Sequence, residues 1–171
     1  MQVRKPLIIL GTAAIFLAGA ALPASADTTA ATFSLTGGDL TLSVGATAAL
    51  TNEASGVAAN VITGTLGQVA VTDARGGTAG WVTSAASTTF TGTGLSVSAG
   101  VAYTNGAVTE SGTNTIAAVT SAALTTTAAA VATATSVSGN NTASWNPTLD
   151  VSMPAGALTG DYAGTVTTSL V

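Results

Sequence analysis

The sequence predicts an all-β protein, and three observations carry that expectation. Beyond residue 26 the chain is built mainly of Thr, Val, Ala, Ser and Gly; the β-branched residues favour strands, while Gly and Ser interrupt them. Apolar residues recur at every second position in several short runs, the period of a strand with one buried face. Turn signals divide those runs at intervals typical of a sandwich. Together they predict an immunoglobulin-like antiparallel β-sandwich.

The first 26 residues read as a cleaved signal peptide. Arg4 and Lys5 supply the positive start, Leu7 to Leu22 the apolar stretch, and Ala24-Ser25-Ala26 the small-residue cleavage pattern. Pro23 and the shortness of the apolar stretch argue against a retained membrane span. No Cys is present, so neither a lipid anchor nor a disulfide framework is expected. Residues 27–171 are expected to form a single domain, a size that buries ~70% of the surface of its unfolded chain.

In chain order, Phe33/Leu35 and Leu40/Leu42/Val44 alternate around Gly37-Gly38-Asp39, which predicts a hairpin. Leu50 to Asn60 is weakly patterned and reads as a loop. Val61 to Thr72 resumes alternation, Asp73 to Gly80 is a Gly-rich turn, and Trp81 opens a strand ending near Phe90. Leu95/Val97 and Val101/Tyr103 follow, and Asn105-Gly106 is a strong two-residue hairpin signal. Ile116 to Val137 is rich in Ala and Thr; the Thr content opposes a helix, so strand and loop are expected. Ser138-Gly139-Asn140-Asn141 reads as a turn, Trp145 as the start of the last section, and Pro147 as a strand start. Leu149/Val151/Met153 and Tyr162 to Leu170 alternate around a turn at Pro154 to Gly160. Six aromatics, Phe33, Trp81, Phe90, Tyr103, Trp145 and Tyr162, are expected to supply much of the core volume. Each Trp reads either as core or as an exposed platform for a sugar.

Charge narrows the function. Beyond the leader, seven acidic residues stand against one base, Arg75. That balance disfavours nucleic acid and anionic lipid, both of which require clustered Lys or Arg. So few charges leave sheet edges prone to association. With no His, no Cys and no Lys after the leader, the common nucleophile–base pairs cannot be assembled, and the scattered acids form no glycosidase signature. The usual zinc and copper ligands are missing, and no Asp-rich calcium loop occurs. The three glycines Gly76, Gly77 and Gly80 lack the Lys-Ser/Thr and helix start of a phosphate loop. No enzyme activity, cofactor or metal is expected.

The run Leu66-Gly67-x-Val69-x-Val71-x-Asp73-x-Arg75-Gly76, then Gly80-Trp81 and Phe90, resembles the first half of the WxL domain. The ending resembles the same family: Ser144-Trp145, Leu149-x-Val151-x-Met153-Pro154-Ala155-Gly156, and Gly160-x-Tyr162-x-x-Thr165-Val166. The resemblance covers 65–171. Both naming Trp-x-Leu motifs are altered, the first to Trp81-Val82-Thr83 and the second to Thr168-Ser169-Leu170.

The resemblance implies a secreted Gram-positive surface protein that binds the cell wall (peptidoglycan) non-covalently, with no chemistry performed. Asp73, Arg75 and Trp81 are its candidate wall-binding residues. Asp73 and Arg75 also read as a turn-stabilising ion pair, or Arg75 as a group that grips a carboxylate in bidentate fashion. The competing expectation is a structural surface-coat or adhesin-type subunit that interacts with itself or with a protein partner through strand edges.

Overall fold

The computed structural model describes residues 29–48, 50–92 and 98–171. The leader, its cleavage site, Asp27 and Leu95/Val97 lie outside the described residues. The chain divides into two compact units, Met1–Ser34 and Leu35–Val171. In the first, residues 29–34 are exposed and have no regular structure. The second holds ten strands, and no helix occurs among the described residues.

The strands are β1 (Leu40–Val44), β2 (Asn60–Thr65), β3 (Val69–Asp73), β4 (Trp81–Ser87), β5 (Gly100–Thr104), β6 (Thr109–Ala118), β7 (Ala122–Leu124), β8 (Ala129–Trp145), β9 (Thr148–Met153) and β10 (Val166–Leu170). They form two antiparallel sheets in a β-sandwich-like arrangement. One has six strands in the order β1-β3-β8-β4-β10, with β6 also paired to β8; the other has four in the order β2-β9-β5-β7. The 17-residue β8 organises the larger sheet. Its C-terminal part pairs with β3, its N-terminal part with β4, and β6 follows much of its length.

Alternation places the core. Trp81, Thr83, Ala85 and Ser87 of β4 are buried and their neighbours are not. Leu149, Val151 and Met153 do the same on β9, and Val101 and Tyr103 on β5. One cluster gathers Trp81 and Trp145 with Val69, Val71 and Val137; a second gathers Tyr103, Leu149 and Val151 with Val131 and Leu124. The indole N–H of Trp145 donates to the Tyr103 hydroxyl at 2.9 Å and links the sheets through the core. Burial pushes the Tyr103 phenol above its ordinary pKa, while the bond from Trp145 works the other way.

Several local expectations are corrected. Phe33 and Leu35 form no strand and are 95% and 92% exposed, so Phe33 adds nothing to the core. The hairpin partner predicted for β1 is replaced by β3, through the register Leu40 to Asp73. That ladder continues past its end, with Gly38 N–H donating to Ala74 C=O at 2.7 Å and Ala74 N–H to Asp39 C=O at 2.9 Å. Val61 to Thr72 is two strands in different sheets. The chain changes sheet at Leu66–Gln68, where Gly67 takes φ +82°, a region that disfavours side chains with a Cβ.

Asn105-Gly106 makes no hairpin, because β5 and β6 belong to different sheets. The glycine is required by packing: a Cβ there would stand 2.5 Å from the Asn146 carbonyl. The turn expected at Ser138 to Asn141 lies inside β8, where Ser136 and Gly139 adopt φ of 52° and 72° without ending the strand. Trp145 therefore closes β8 rather than opening a section. The strand from Trp81 stops at Ser87, and β10 begins only at Val166. Ile116 to Val137 is strand and loop as expected, and Pro147 immediately precedes β9.

Candidate functional site

The stretch from Asp73 to Trp81 joins β3 to β4, and the side chains singled out by sequence meet there. Asp73 is the last residue of β3 and faces inward, only 2% exposed. Its carboxylate accepts four N–H bonds. Three come from Arg75: backbone N–H at 3.1 Å and Nε at 2.9 Å to Oδ1, and Nη2 at 2.9 Å to Oδ2. The fourth comes from Asn141 Nδ2, at 3.3 Å to Oδ2. These donors hold the carboxyl well below its usual range, lowered from 3.8 to about 2, the Arg75 side chain contributing most and burial opposing it. Asp73 raises the Arg75 pKa in return.

Arg75 turns its fork, Nε and Nη2, onto Asp73, and Nη2 also reaches the carbonyls of Ala79 and Gly80 at 2.9 and 3.1 Å. The guanidinium closes the loop on itself. The Nε/Nη2 edge, one of the two that can grip a carboxylate in bidentate fashion, is already engaged, although the side chain is 32% exposed. Trp81 is 2% exposed, and its indole N–H donates to Asn141 Oδ1 at 3.2 Å. Of the two readings of Trp81 and Trp145, burial supports core for both. Neither presents a face on which a sugar could stack.

Asn141 was missed as a site residue. It is 3% exposed and joins Asp73, Trp81 and Asn114, whose Nδ2 donates to Asn141 Oδ1 at 3.2 Å. One signal could have found it: counting back by twos from Trp145 passes through Ala143 to Asn141, so an amide falls on the inward face of the strand. Asn114 carries no comparable signal.

A second region was invisible in the sequence. The loops at 50–56 and 154–164 border an open cleft of about 620 Å³ beside β2 and β9. Ile62, Phe90, Met153 and Tyr162 line it together with the exposed carboxylates of Glu53 and Asp161. Ser55 Oγ donates to Ala157 C=O at 2.6 Å and Gly156 N–H to Gly56 C=O at 3.2 Å, tying the loops together. A narrower groove of about 340 Å³ shares Leu50 and Phe90 with the cleft and is bordered by Val44 at the end of β1, by the 45–48 stretch that follows it, and by Val166 and Thr168 of β10. Among the described residues, no three His, Cys, Asp or Glu side chains group as metal ligands, and no helix is long and apolar enough to cross a membrane. No protein-family model matches the chain, and no curated protein or solved structure is significantly similar to it.

Proposed function

We propose that the protein is a secreted, non-enzymatic surface protein of immunoglobulin-like sandwich type that acts as a structural subunit, associating with copies of itself or a protein partner. One observation carries this reading. The strands β1, β2, β6, β7 and β10 each pair with a single neighbour, and Glu110 is their one charged residue. Natural sheets guard such edges with Lys, Pro or inward charges, because unpaired N–H and C=O groups recruit further strands. Here the guards are almost absent; only the register shifts of β6 interrupt an edge.

The WxL resemblance supports a second reading, non-covalent binding to peptidoglycan or another wall polymer. The cleft of about 620 Å³ favours it, since that volume suits a bound ligand and Tyr162 and Phe90 offer it aromatic surface. In that reading the ligand meets the cleft, and the Asp73–Arg75–Trp81 cluster holds the β3–β4 junction.

Sedimentation velocity of the chain from Asp27, over a range of concentrations and without wall material, separates the two. Concentration-dependent assembly supports the subunit. A monomer that co-sediments saturably with purified sacculi supports wall binding and overturns the subunit reading.

A further inference from the structure

Of the five strands that pair on one side only, β6 is the longest, ten residues against three to six for the others. Its ladder with β8 fixes which way its main chain points. Val119 N–H, just past the strand, donates to Val131 C=O at 3.0 Å, so the odd-numbered residues of β6 turn their N–H and C=O toward β8. Glu110, Gly112, Asn114, Ile116 and Ala118 turn theirs outward, and among the described residues nothing bonds them. The register shifts leave that order intact. While β6 runs from Ser111 to Thr115, β8 runs from Thr142 to Thr135, so the extra residues belong to β8. Gly112 keeps β6 against them with φ +86°; a Cβ there would stand 2.5 Å from the Asn140 carbonyl.

The outward row is its own complement. Its positions are symmetric about the middle one, Asn114. An antiparallel copy turned about that residue sets Glu110 opposite Ala118, Gly112 opposite Ile116 and Asn114 opposite Asn114, so that each pair can exchange N–H···O=C bonds. No other register engages the whole row. Charge permits this one. Glu110 meets an alanine, and the two Glu110 residues stand at opposite ends, ~27 Å apart along the strands and well beyond the ~8–10 Å over which exposed charges act in salt.

Side chains agree on both faces. Thr109, Ser111, Thr113, Thr115 and Ala117 are exposed and uncharged. The register sets Thr113 opposite Thr115, a favourable cross-strand pair, and Ser111 opposite Ala117. On the inner face Ile116 meets a glycine, which leaves it room. Asn114, at the axis, gives an amide N–H to Asn141 while its own Oδ1 is buried with no partner. A second copy places another such amide directly across from it.

We propose that β6 of one copy pairs antiparallel with β6 of a second copy about a two-fold axis at Asn114, joining their larger sheets into one. The contact is isologous, so it consumes both edges and closes at two copies. The inference rests on the reading of the protein as a self-associating subunit and names its interface.

Size-exclusion chromatography with light scattering on the chain from Asp27 tests it. The wild type is expected to pass from one chain to two as concentration rises and to stop there. Thr113→Lys/Thr115→Lys sets lysine against lysine across the axis, and Thr113→Glu/Thr115→Glu sets glutamate against glutamate. Both positions are exposed in the single chain, so each variant is expected to keep a folded circular dichroism spectrum and to remain one chain where the wild type is two. Mixed in equal amounts, they are expected to recover a dimer of one of each, which salt weakens, because every like pair becomes an opposite pair. Wild-type assembly in both variants would overturn the inference and leave the subunit reading standing on another edge. Growth of the wild type past two copies would overturn the two-fold closure and leave that reading standing as well. A wild type that stays monomeric throughout would overturn both.

Discussion

The junction of β3 with β4 and the groove bordered by Val44 and Val166 are opposite solutions to ending a strand. At the junction polar side chains are turned onto one another: Arg75 onto Asp73, Asp73 onto Asn141, and Asn141 onto Trp81 and Asn114 as well. At the groove Leu50, Leu66, Phe90 and Val166 are only half-buried, and β1 and β10 each pair with a single strand. Asp73, Trp81 and Asn141 are thus committed to the interior. Bland Val, Thr and Leu residues border the groove. Under the proposed subunit reading, association would run through backbone edges and shape, which needs few charges.

The largest expected effect is at the junction. Trp81→Ala removes a buried indole and breaks its bond to Asn141, and large-to-small core changes of this kind cost about 3–5 kcal/mol. Urea denaturation followed by circular dichroism measures it. A loss below about 1 kcal/mol would mean that the indole contributes little packing, and the contrast between the two regions would fail.

Asn141→Ala is expected to rank second. It leaves the Trp81 indole N–H and the Asn114 amide without their shared acceptor and takes one donor from Asp73. Unpaired buried polar groups cost roughly 1–3 kcal/mol. Asn141→Asp should be worse than its size suggests, because a second carboxylate would face Asp73. Equal stability of the Ala and Asp variants would show that the amide is not facing the charge.

Acid sharpens the comparison further. Asp73 has a folded pKa of about 2 against 3.8 for the unfolded chain. A lowered folded pKa gives stability that is fully present above the unfolded value and is lost as pH falls through the folded one. Melting temperature should therefore hold steady above about pH 4 and drop between about pH 4 and pH 2. Arg75→Ala removes the main cause of the shift and should flatten that acid limb. It should also raise hydrogen exchange across the 74–80 loop. An unchanged limb would assign the acid sensitivity elsewhere.

What the sequence disclosed follows from period two. Alternation in Leu149-x-Val151-x-Met153 and in Trp81 onward located buried faces correctly, because a one-residue slip would expose the whole set. Turn chemistry was less reliable. Asn105-Gly106 and Ser138 to Asn141 have hairpin composition, yet one crosses between sheets and the other is absorbed into β8. Local residues allow a reversal; only long-range packing decides whether one occurs, as with the Asn146 carbonyl pressed against Gly106. The Asp73–Arg75 pair was legible because its members are two residues apart. Asn141, 68 residues from Asp73, and the cleft assembled from loops about a hundred residues apart were not.

The smallest expected effect is on the other side of the comparison. Phe33→Ala/Leu35→Ala removes two large apolar side chains, a change that would cost several kcal/mol in a core. Both are more than nine-tenths exposed, so the monomer has almost no contact to lose. Its stability in dilute solution should change by no more than ~0.5 kcal/mol, the scale of an ordinary surface substitution. The same two residues alternate like a core strand, so their indifference in the monomer and the inward commitment of Trp81 test one idea from both ends. Urea titrations at low concentration, where association is absent, decide it. A loss above about 1 kcal/mol would place the segment against its own sheet and erase the difference between the two regions.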